Sequence, residues 1–245
     1  MTMTQTALLD LQTRSTGFLS DIALEDSLIP NAVLVTARYN GTAFSQSLFA
    51  ALDIPCPASL DRAVDKRRAE FLAGRAMAQA AMAVLEHPPS PIIPQPNRAP
   101  LWPTGLAGSI SHARGRCACL LSRDTSHSYG VDTEAIAQGR SLKAILSETL
   151  FAREGHTITQ GPLPAATSAT LAFSAKEALF KALYPGVGRH FGFDAAELTA
   201  PPKDGILTLS LTTDLTEDIT RGRRFDIHYR LTDTHVLTWL SVPSV

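Results

Sequence analysis

The order of apolar and polar positions divides the first part of the chain into strands, one long helix and a loop. Residues 18–38 resemble strands with a turn at Pro30-Asn31, and the apolar run 32–35 is the strongest strand signal. Over residues 61–86 apolar side chains recur with helical spacing. Asp61 is suited to cap this helix, and the prolines at 88–89 end it before a proline-rich loop.

The second part of the chain repeats these element types in a different order. The pattern predicts two strands, two helices and three further strands, at residues 117–121, 129–136, 139–155, 168–184, 206–211, 225–231 and 236–242. Strands and helices that follow each other in separate groups are typical of the α+β class. A polar turn near residue 125 divides the chain, so we expect two α+β halves, at residues 1–125 and 126–245.

Composition favours a folded protein that binds no nucleic acid. Hydrophobic residues make up 44% and charged residues 18% of the 245 positions, which excludes extensive disorder. Lys and Arg total 22 against 23 Asp and Glu, for a net charge of -1. A partner held by bulk positive charge, such as duplex DNA, is therefore not expected. A local anion site remains compatible with this balance.

The cysteines and the chain start indicate a protein of the cytosol. Cys56, Cys117 and Cys119 are too few, and odd in number, for a disulfide framework. Cys117 and Cys119 would share one strand face, where two small core residues are the favoured interpretation over a metal site. The chain starts without a basic leader, and no run of about 20 apolar residues predicts a membrane span.

Two acidic patterns carry candidate metal chemistry. On a strand, Asp132 and Glu134 would point to one face, where a divalent cation would relieve their repulsion. On a helix, Glu177 and Lys181 would share a face and could supply a third carboxylate beside a phosphate-binding ammonium. Taken alone, each pattern is better explained as an exposed strand face or a surface ion pair.

Three basic or polar patterns could bind phosphate. Ser111 and His112, placed just before a strand, both supply hydrogen-bond donors. Arg67 and Arg75 are eight residues apart and so near one face of the long helix, and Arg98 lies in the proline-rich loop. Arginine suits forked contacts with phosphate, although a solvated helix face is the simpler interpretation of any one of them.

Together and in this order, five motifs resemble the 4′-phosphopantetheinyl transferases, most closely the siderophore-synthase type of the enterobactin synthase component D group. The motifs are KRRAEFLAGR (66–75), RAPLWPTG (98–105), GSISH (108–112), GVDTE (130–134) and FSAKEALFKA (173–182). They span about half of the chain, and the last is the most specific.

The resemblance implies a fold and a reaction. The fold would be two similar α+β halves related by pseudo-twofold symmetry, with the active site in the cleft between them. The reaction would transfer the 4′-phosphopantetheine arm of coenzyme A to a serine of an apo acyl or peptidyl carrier protein, releasing adenosine 3′,5′-bisphosphate. Magnesium dependence, a monomer, and activation of carriers for siderophore and nonribosomal peptide synthesis are further implications. Residues 140–153 are a first guess for the carrier docking strip.

The resemblance also assigns roles in metal binding and catalysis. Asp132, Glu134 and Glu177 would hold Mg²⁺, and Glu177 would be the base for the serine hydroxyl, directly or through a metal-bound water. Lys181 would contact the pyrophosphate, and Lys176 would help to hold coenzyme A.

The remaining assignments concern coenzyme A. His112 and Ser111 would contact its phosphates, and His112 would join Glu177 and Lys181 in catalysis. A second set, Arg67, Arg75 and Arg98, would grip the nucleotide end. Two alternatives stay open: a metal-dependent phosphohydrolase or nuclease, and a coenzyme A or carrier-binding module that has lost catalysis.

Overall fold

The computed structural model describes residues 3–97 and 99–244, and it leaves out the side chains of residues 3, 4, 152 and 153. The chain divides into two compact units, Met1–Ser126 and His127–Val245, each with its own main sheet and hydrophobic core. Both units combine antiparallel strands with a long helix, so the prediction of two α+β halves is confirmed.

The first unit packs one long helix on a four-stranded antiparallel sheet in the order β1-β2-β6-β5. Its helices are α1 (Met3–Arg14), α2 (Ser47–Ala51) and α3 (Asp65–Val84), with short 3₁₀ turns at Gly41–Ala43 and Ala58–Leu60. Its strands are β1 (Leu19–Glu25), β2 (Ala32–Tyr39), β3 (Ile93–Pro94), β4 (Pro100–Leu101), β5 (Ala107–Ala113) and β6 (Arg116–Ser122). The short strands β3 and β4 pair with each other as a separate hairpin.

The second unit packs its longest helix on a five-stranded antiparallel sheet in the order β7-β11-β10-β9-β8. Its strands are β7 (His127–Ala135), β8 (Ala196–Leu198), β9 (Ile206–Leu211), β10 (Arg224–Leu231) and β11 (His235–Pro243). Its helices are α4 (Gly139–Ala144), α5 (Ala152–Gln160) and α6 (Ala165–Val187), with a π-helical segment at Ile145–Thr149 and a 3₁₀ turn at Phe193–Ala195.

The thiols of β6 belong to the core of the first unit. Cys117 and Cys119 are buried, and both belong to the same cluster as Leu121, which confirms that they are core residues. Burial raises the pKa of Cys117 to about 12 and also raises that of Cys119, so both remain thiols near neutral pH. Cys56, by contrast, is only half-buried.

Three boundaries differ from the sequence prediction. The long helix begins at Asp65, because Asp61 ends the preceding 3₁₀ turn and does not cap α3. The helix expected over 139–155 is interrupted, because Leu150 and Phe151 have extended backbones. His112 lies inside β5, where it pairs with Cys117, and not before a strand.

Two helices exceed what the sequence indicated. The helix α1 was not predicted, because its apolar run covers only residues 7–9 before Asp10 breaks it. The helix α6 continues past Pro185 to a left-handed Gly188, whose N–H donates to the Tyr184 carbonyl. Pro185 lacks an N–H and so removes one helical hydrogen bond, but in the last turn this loss does not end the helix.

Candidate active site

Strand β7 and helix α6 approach each other closely at Gly130. A Cβ atom at this position would lie 1.9 Å from the carbonyl oxygen of Ala178, so only glycine fits. Alternate residues of a strand share a face, which places Asp132 and Glu134 on the α6 side with Gly130. The shared face of these two carboxylates thus follows from β7 being a strand, as the sequence prediction assumed.

Asp132 is buried and receives hydrogen bonds from α6. Its Oδ1 accepts from the ammonium of Lys181 at 2.8 Å, and its Oδ2 accepts from the hydroxyl of Ser174, also at 2.8 Å. The same Ser174 hydroxyl lies 2.9 Å from that of Thr238 on β11. Lys181 also donates to the Val131 carbonyl at 3.0 Å. The GVDTE and FSAKEALFKA motifs therefore meet in space.

Glu177 is a half-buried carboxylate on the same helix. Burial raises its pKa above the ordinary value; Lys181 and His190 oppose the rise, and Asp132 adds to it. Within the part of the chain that the structure describes, no three acidic, His or Cys side chains form a group that could hold a metal ion. The cation beside Asp132 in this structure is the ammonium of Lys181.

Aromatic side chains flank Glu177, a feature that the sequence reasoning missed. Phe173 and Phe180 lie four residues before and three residues after Glu177, and thus on its side of the helix. The loop after α6 returns to cover them, with Phe193 at 5.5 Å from Phe173 and Phe191 at 4.9 Å from Phe180 between ring centroids. The spacing of Phe173 and Phe180 around Glu177 could have predicted this aromatic surface from the sequence.

Lys176, expected to hold coenzyme A, points elsewhere. Its ammonium is buried and donates to Glu154 Oε2 at 2.8 Å and to the Thr149 carbonyl at 2.9 Å. Burial lowers the pKa of Lys176, while the hydrogen bond and charge of Glu154 oppose that shift. Since its buried ammonium is held by two protein oxygens, this arrangement argues for a structural role and against direct contact with a ligand.

A cavity of about 870 Å³ in the first unit is lined by three of the predicted phosphate-binding side chains. Arg67 and Arg75 of α3 line it together with His112 of β5 and the acidic Glu70. Gly74 lets α3 lie close to β5 beside the cavity, since a Cβ there would lie 2.8 Å from a side-chain carbon of Ile110 on β5. Arg67 lines the cavity, whereas the adjacent Arg68 is not among the described residues that line it.

Arg75 is the most buried of these cations. Its Nε donates to the Ile92 carbonyl at 2.8 Å, and its guanidinium lies 4.4 Å from the centroid of the Phe71 ring. Burial lowers its pKa to about 10, with the positive charge of Arg67 as a further cause. A guanidinium held this rigidly is well placed to meet an anion with one of its remaining N–H groups.

Two predicted phosphate ligands do not join this group. Ser111 and His112 are successive residues of β5, so their side chains point to opposite faces of the strand. Ser111 is buried and is not among the described residues that line the cavity. The expectation that the two side chains together hold one phosphate is thus not supported by this geometry. Arg98 lies outside the described residues.

Comparison with known families gives two adjacent matches. Residues 57–122 match the 4′-phosphopantetheinyl transferase N-terminal domain, and residues 128–238 match the 4′-phosphopantetheinyl transferase superfamily. The first match contains the arginine-lined cavity, and the second contains the Asp132–Lys181 contact.

Curated relatives agree with the family matches. The chain is 36% identical over 172 residues to 4′-phosphopantetheinyl transferase Svp of Streptomyces mobaraensis, covering 69% of this chain and 68% of that protein. It is 37% identical over 135 residues to enterobactin synthase component D of Salmonella typhi, covering 55% of this chain and 56% of the relative. It is also 37% identical over 142 residues to 4′-phosphopantetheinyl transferase PptT of Mycobacterium tuberculosis, covering 56% and 60%.

The chain therefore belongs to the 4′-phosphopantetheinyl transferase family, and it is a transferase of that type. The matched segments span between about half and two thirds of the length of these relatives. Among the residues that the structure describes, no helix is both long enough and apolar enough to cross a membrane.

Proposed function

We propose that this protein transfers the 4′-phosphopantetheine arm of coenzyme A to a serine hydroxyl of an apo acyl or peptidyl carrier protein and releases adenosine 3′,5′-bisphosphate. The observation that carries the proposal is the 2.8 Å contact between Lys181 and Asp132, because it joins the two most informative motifs of the family resemblance. The first unit would contact the nucleotide end of coenzyme A, and the second would hold the metal site and the catalytic helix.

The second unit supplies carboxylates for a magnesium ion, but the described side chains would have to move together to form a three-ligand group. Asp132, Glu134 and Glu177 supply hard oxygen donors, the type that Mg²⁺ prefers. The charge of Asp132 contributes to the raised pKa of Glu177, so these carboxylates interact and a cation would relieve their repulsion. Bound there, Mg²⁺ would neutralise charge on the pyrophosphate. Binding would require Lys181 to release or share Asp132.

Glu177 would accept the proton of the carrier serine. Its pKa is raised by burial, which makes its carboxylate a stronger base than an exposed glutamate. Lys181, 27% exposed at its side chain, can turn its ammonium from Asp132 towards an incoming phosphate. The protein would act here mainly by positioning the groups and by balancing charge.

The aromatic wall beside Glu177 would favour transfer over hydrolysis. Phe173, Phe180 and the covering rings of Phe191 and Phe193 present apolar surface next to the proposed base. Apolar walls restrict water near a reacting phosphoryl group, so the serine hydroxyl meets less competition.

The cationic cavity of the first unit would take the phosphorylated nucleotide. Arg67 and Arg75 of α3 and His112 of β5 supply donors to its lining, and Arg98 remains a proposed fourth contact. Ser111 is left out of this set, because it pairs with Ala118 in the sheet and its side chain points away from that of His112.

Intact-mass spectrometry of an apo carrier protein tests the proposal. The carrier is incubated with the protein, coenzyme A and Mg²⁺, beside one reaction with EDTA and one with the E177A variant. A mass gain of one phosphopantetheine arm, lost in both controls, is expected. Consumption of coenzyme A without any gain on the carrier would instead indicate a phosphohydrolase. Binding of coenzyme A without turnover would indicate a module without catalysis.

A further inference from the structure

A buried ion pair ties the residue next to Glu177 to the rest of the second unit. The Lys176 ammonium and the Glu154 carboxylate are 2.8 Å apart, and their side chains are 2% and 0% exposed. Glu154 also accepts from the backbone N–H of Phe151 at 2.7 Å and from that of Leu198 at 2.7 Å. One carboxylate therefore joins the start of α5, the edge strand β8 and the helix α6.

The same ion pair fixes the end of the π-helical segment. Lys176 donates to the carbonyl of Thr149, the last residue of Ile145–Thr149. A π-helical turn is uncommon and often found beside functional sites. The carbonyl at the end of this segment is thus bound by Lys176, the residue that precedes the proposed base in the sequence.

Helix α6 is held by packing and by polar contacts together. Its buried surface combines small side chains with Leu171, Leu179 and Leu183. The close approach of β7 at Gly130 limits how far the helix can turn. Polar contacts add to this restraint from two sides: Ser174 and Lys181 bind Asp132 on the sheet side, and Lys176 binds Glu154.

We propose that Glu154 and Lys176 are positioning residues that set the rotation of α6 and thereby hold the carboxylate of Glu177 in its working direction. This inference rests on the proposed function, in which Glu177 acts as the base. It replaces the role of coenzyme A ligand that the resemblance gave to Lys176. A buried ion pair seldom adds net stability compared with apolar residues of similar size, so a positional role accounts better for its presence here.

Variants that neutralise the pair without leaving one charge buried test this role. E154Q and K176M alone each leave an unpaired group and are expected to lower the unfolding temperature. The double variant E154Q/K176M is expected to regain most of that loss. Its kcat for carrier modification should still be about 10- to 100-fold below wild type, because small displacements of a catalytic group are costly. Its KM for coenzyme A should stay unchanged.

Two outcomes would overturn the inference. A double variant with wild-type kcat, whatever its stability, would show that the pair does not position Glu177. A K176M variant with raised KM for coenzyme A and unchanged kcat would make Lys176 a ligand. If the double variant does not fold, E154D replaces it, since it keeps the charge pair but shortens one arm. E154D is expected to fold with lowered kcat, and wild-type kcat would count against the proposal.

A control and an activity-independent measurement separate this inference from the proposed function. K203M/D204N removes an exposed pair, with side chains 85% and 83% exposed, and should change neither stability nor kcat. Hydrogen exchange of peptides covering residues 173–184 should be faster in E154Q/K176M than in wild type. Wild type that transfers nothing would refute the proposed function, while the exchange rates would still decide whether the pair orders α6.

Discussion

The carboxyl group of Glu177 has two opposing roles, because the burial that makes it a better base also makes its charge costly. Its folded-state pKa is raised by burial, whereas in the unfolded chain it has the ordinary value. The folded state therefore loses stability as pH rises through the raised pKa, and no such loss exists below the unfolded value. A functional group of this kind lowers the stability of the helix that carries it.

Replacing Glu177 by glutamine should raise stability and abolish transfer. At pH 7 in EDTA, the unfolding midpoint of E177Q is expected above that of wild type, by about 2–4 °C for each kcal/mol recovered. The difference should shrink as pH falls through the raised pKa, since the wild-type carboxyl then takes up a proton. Thermal unfolding from pH 4 to 8 checks this. E148Q, at an exposed glutamate, is the matched control and should change little.

Two adjacent arginines of α3 should separate ligand binding from stability. Arg67 lines the cavity, whereas Arg68 donates to the carbonyls of Leu60 and Asp61 at 3.1 and 2.7 Å. We expect R67A to weaken coenzyme A binding about tenfold with little change in unfolding free energy. R68A should lose about 1–2 kcal/mol of stability and keep its affinity. Calorimetric titration measures the affinity and urea unfolding the stability. Lost affinity in R68A with none lost in R67A would refute the assignment.

At the scale of elements, β7 and α6 pack directly against each other because Gly130 has no side chain to keep them apart. The contact carries Asp132 to within hydrogen-bond distance of two α6 side chains. The sequence predicts both elements and the shared face of Asp132 and Glu134, because those depend on local periodicity. It does not predict that Lys176 turns away from Glu177, because the partner, Glu154, is distant along the chain and lies beyond a break that local patterns did not reveal.

The G130A substitution should separate this pair of elements. A methyl group 1.9 Å from the Ala178 oxygen forces the strand or the helix to move, which we expect to cost at least about 2 kcal/mol of unfolding free energy. G155A is the control, because Gly155 lies inside α5 and a Cβ there meets no atom within 4 Å. G155A should raise the unfolding free energy by about 0.5–1 kcal/mol, because alanine favours the helix more than glycine does. Urea unfolding compares the two, and a neutral G130A would contradict the packing.

The whole molecule consists of two units with separate cores, and each carries part of the proposed chemistry. Local sequence patterns predict the α+β class, since strand and helix periods differ clearly. They predict less well which phosphate ligands share a cavity. Arg67 and Arg75 follow from helical spacing, whereas the direction of His112 and the opposite direction of Ser111 appear only once β5 is known to include His112.

Ligands of different length should protect different units. Adenosine 3′,5′-bisphosphate has the nucleotide end without the pantetheine arm, so it is expected to slow hydrogen exchange in α3 and β5 alone. Coenzyme A with Mg²⁺ should slow exchange in α6 as well. Exchange mass spectrometry of the full chain distinguishes these patterns. Protection of α6 by the bisphosphate, with none in α3, would contradict the assignment of the nucleotide to the first unit.

The two buried thiols of β6 have a practical consequence for labelling. Because Cys117 and Cys119 lie in the core with raised pKa values, a maleimide dye near neutral pH should attach to the half-buried Cys56. The natural chain thus offers a single attachment point for a fluorophore, without any engineered cysteine. A dye there would sit in the same unit as the arginine-lined cavity and could report ligand arrival as a change in emission.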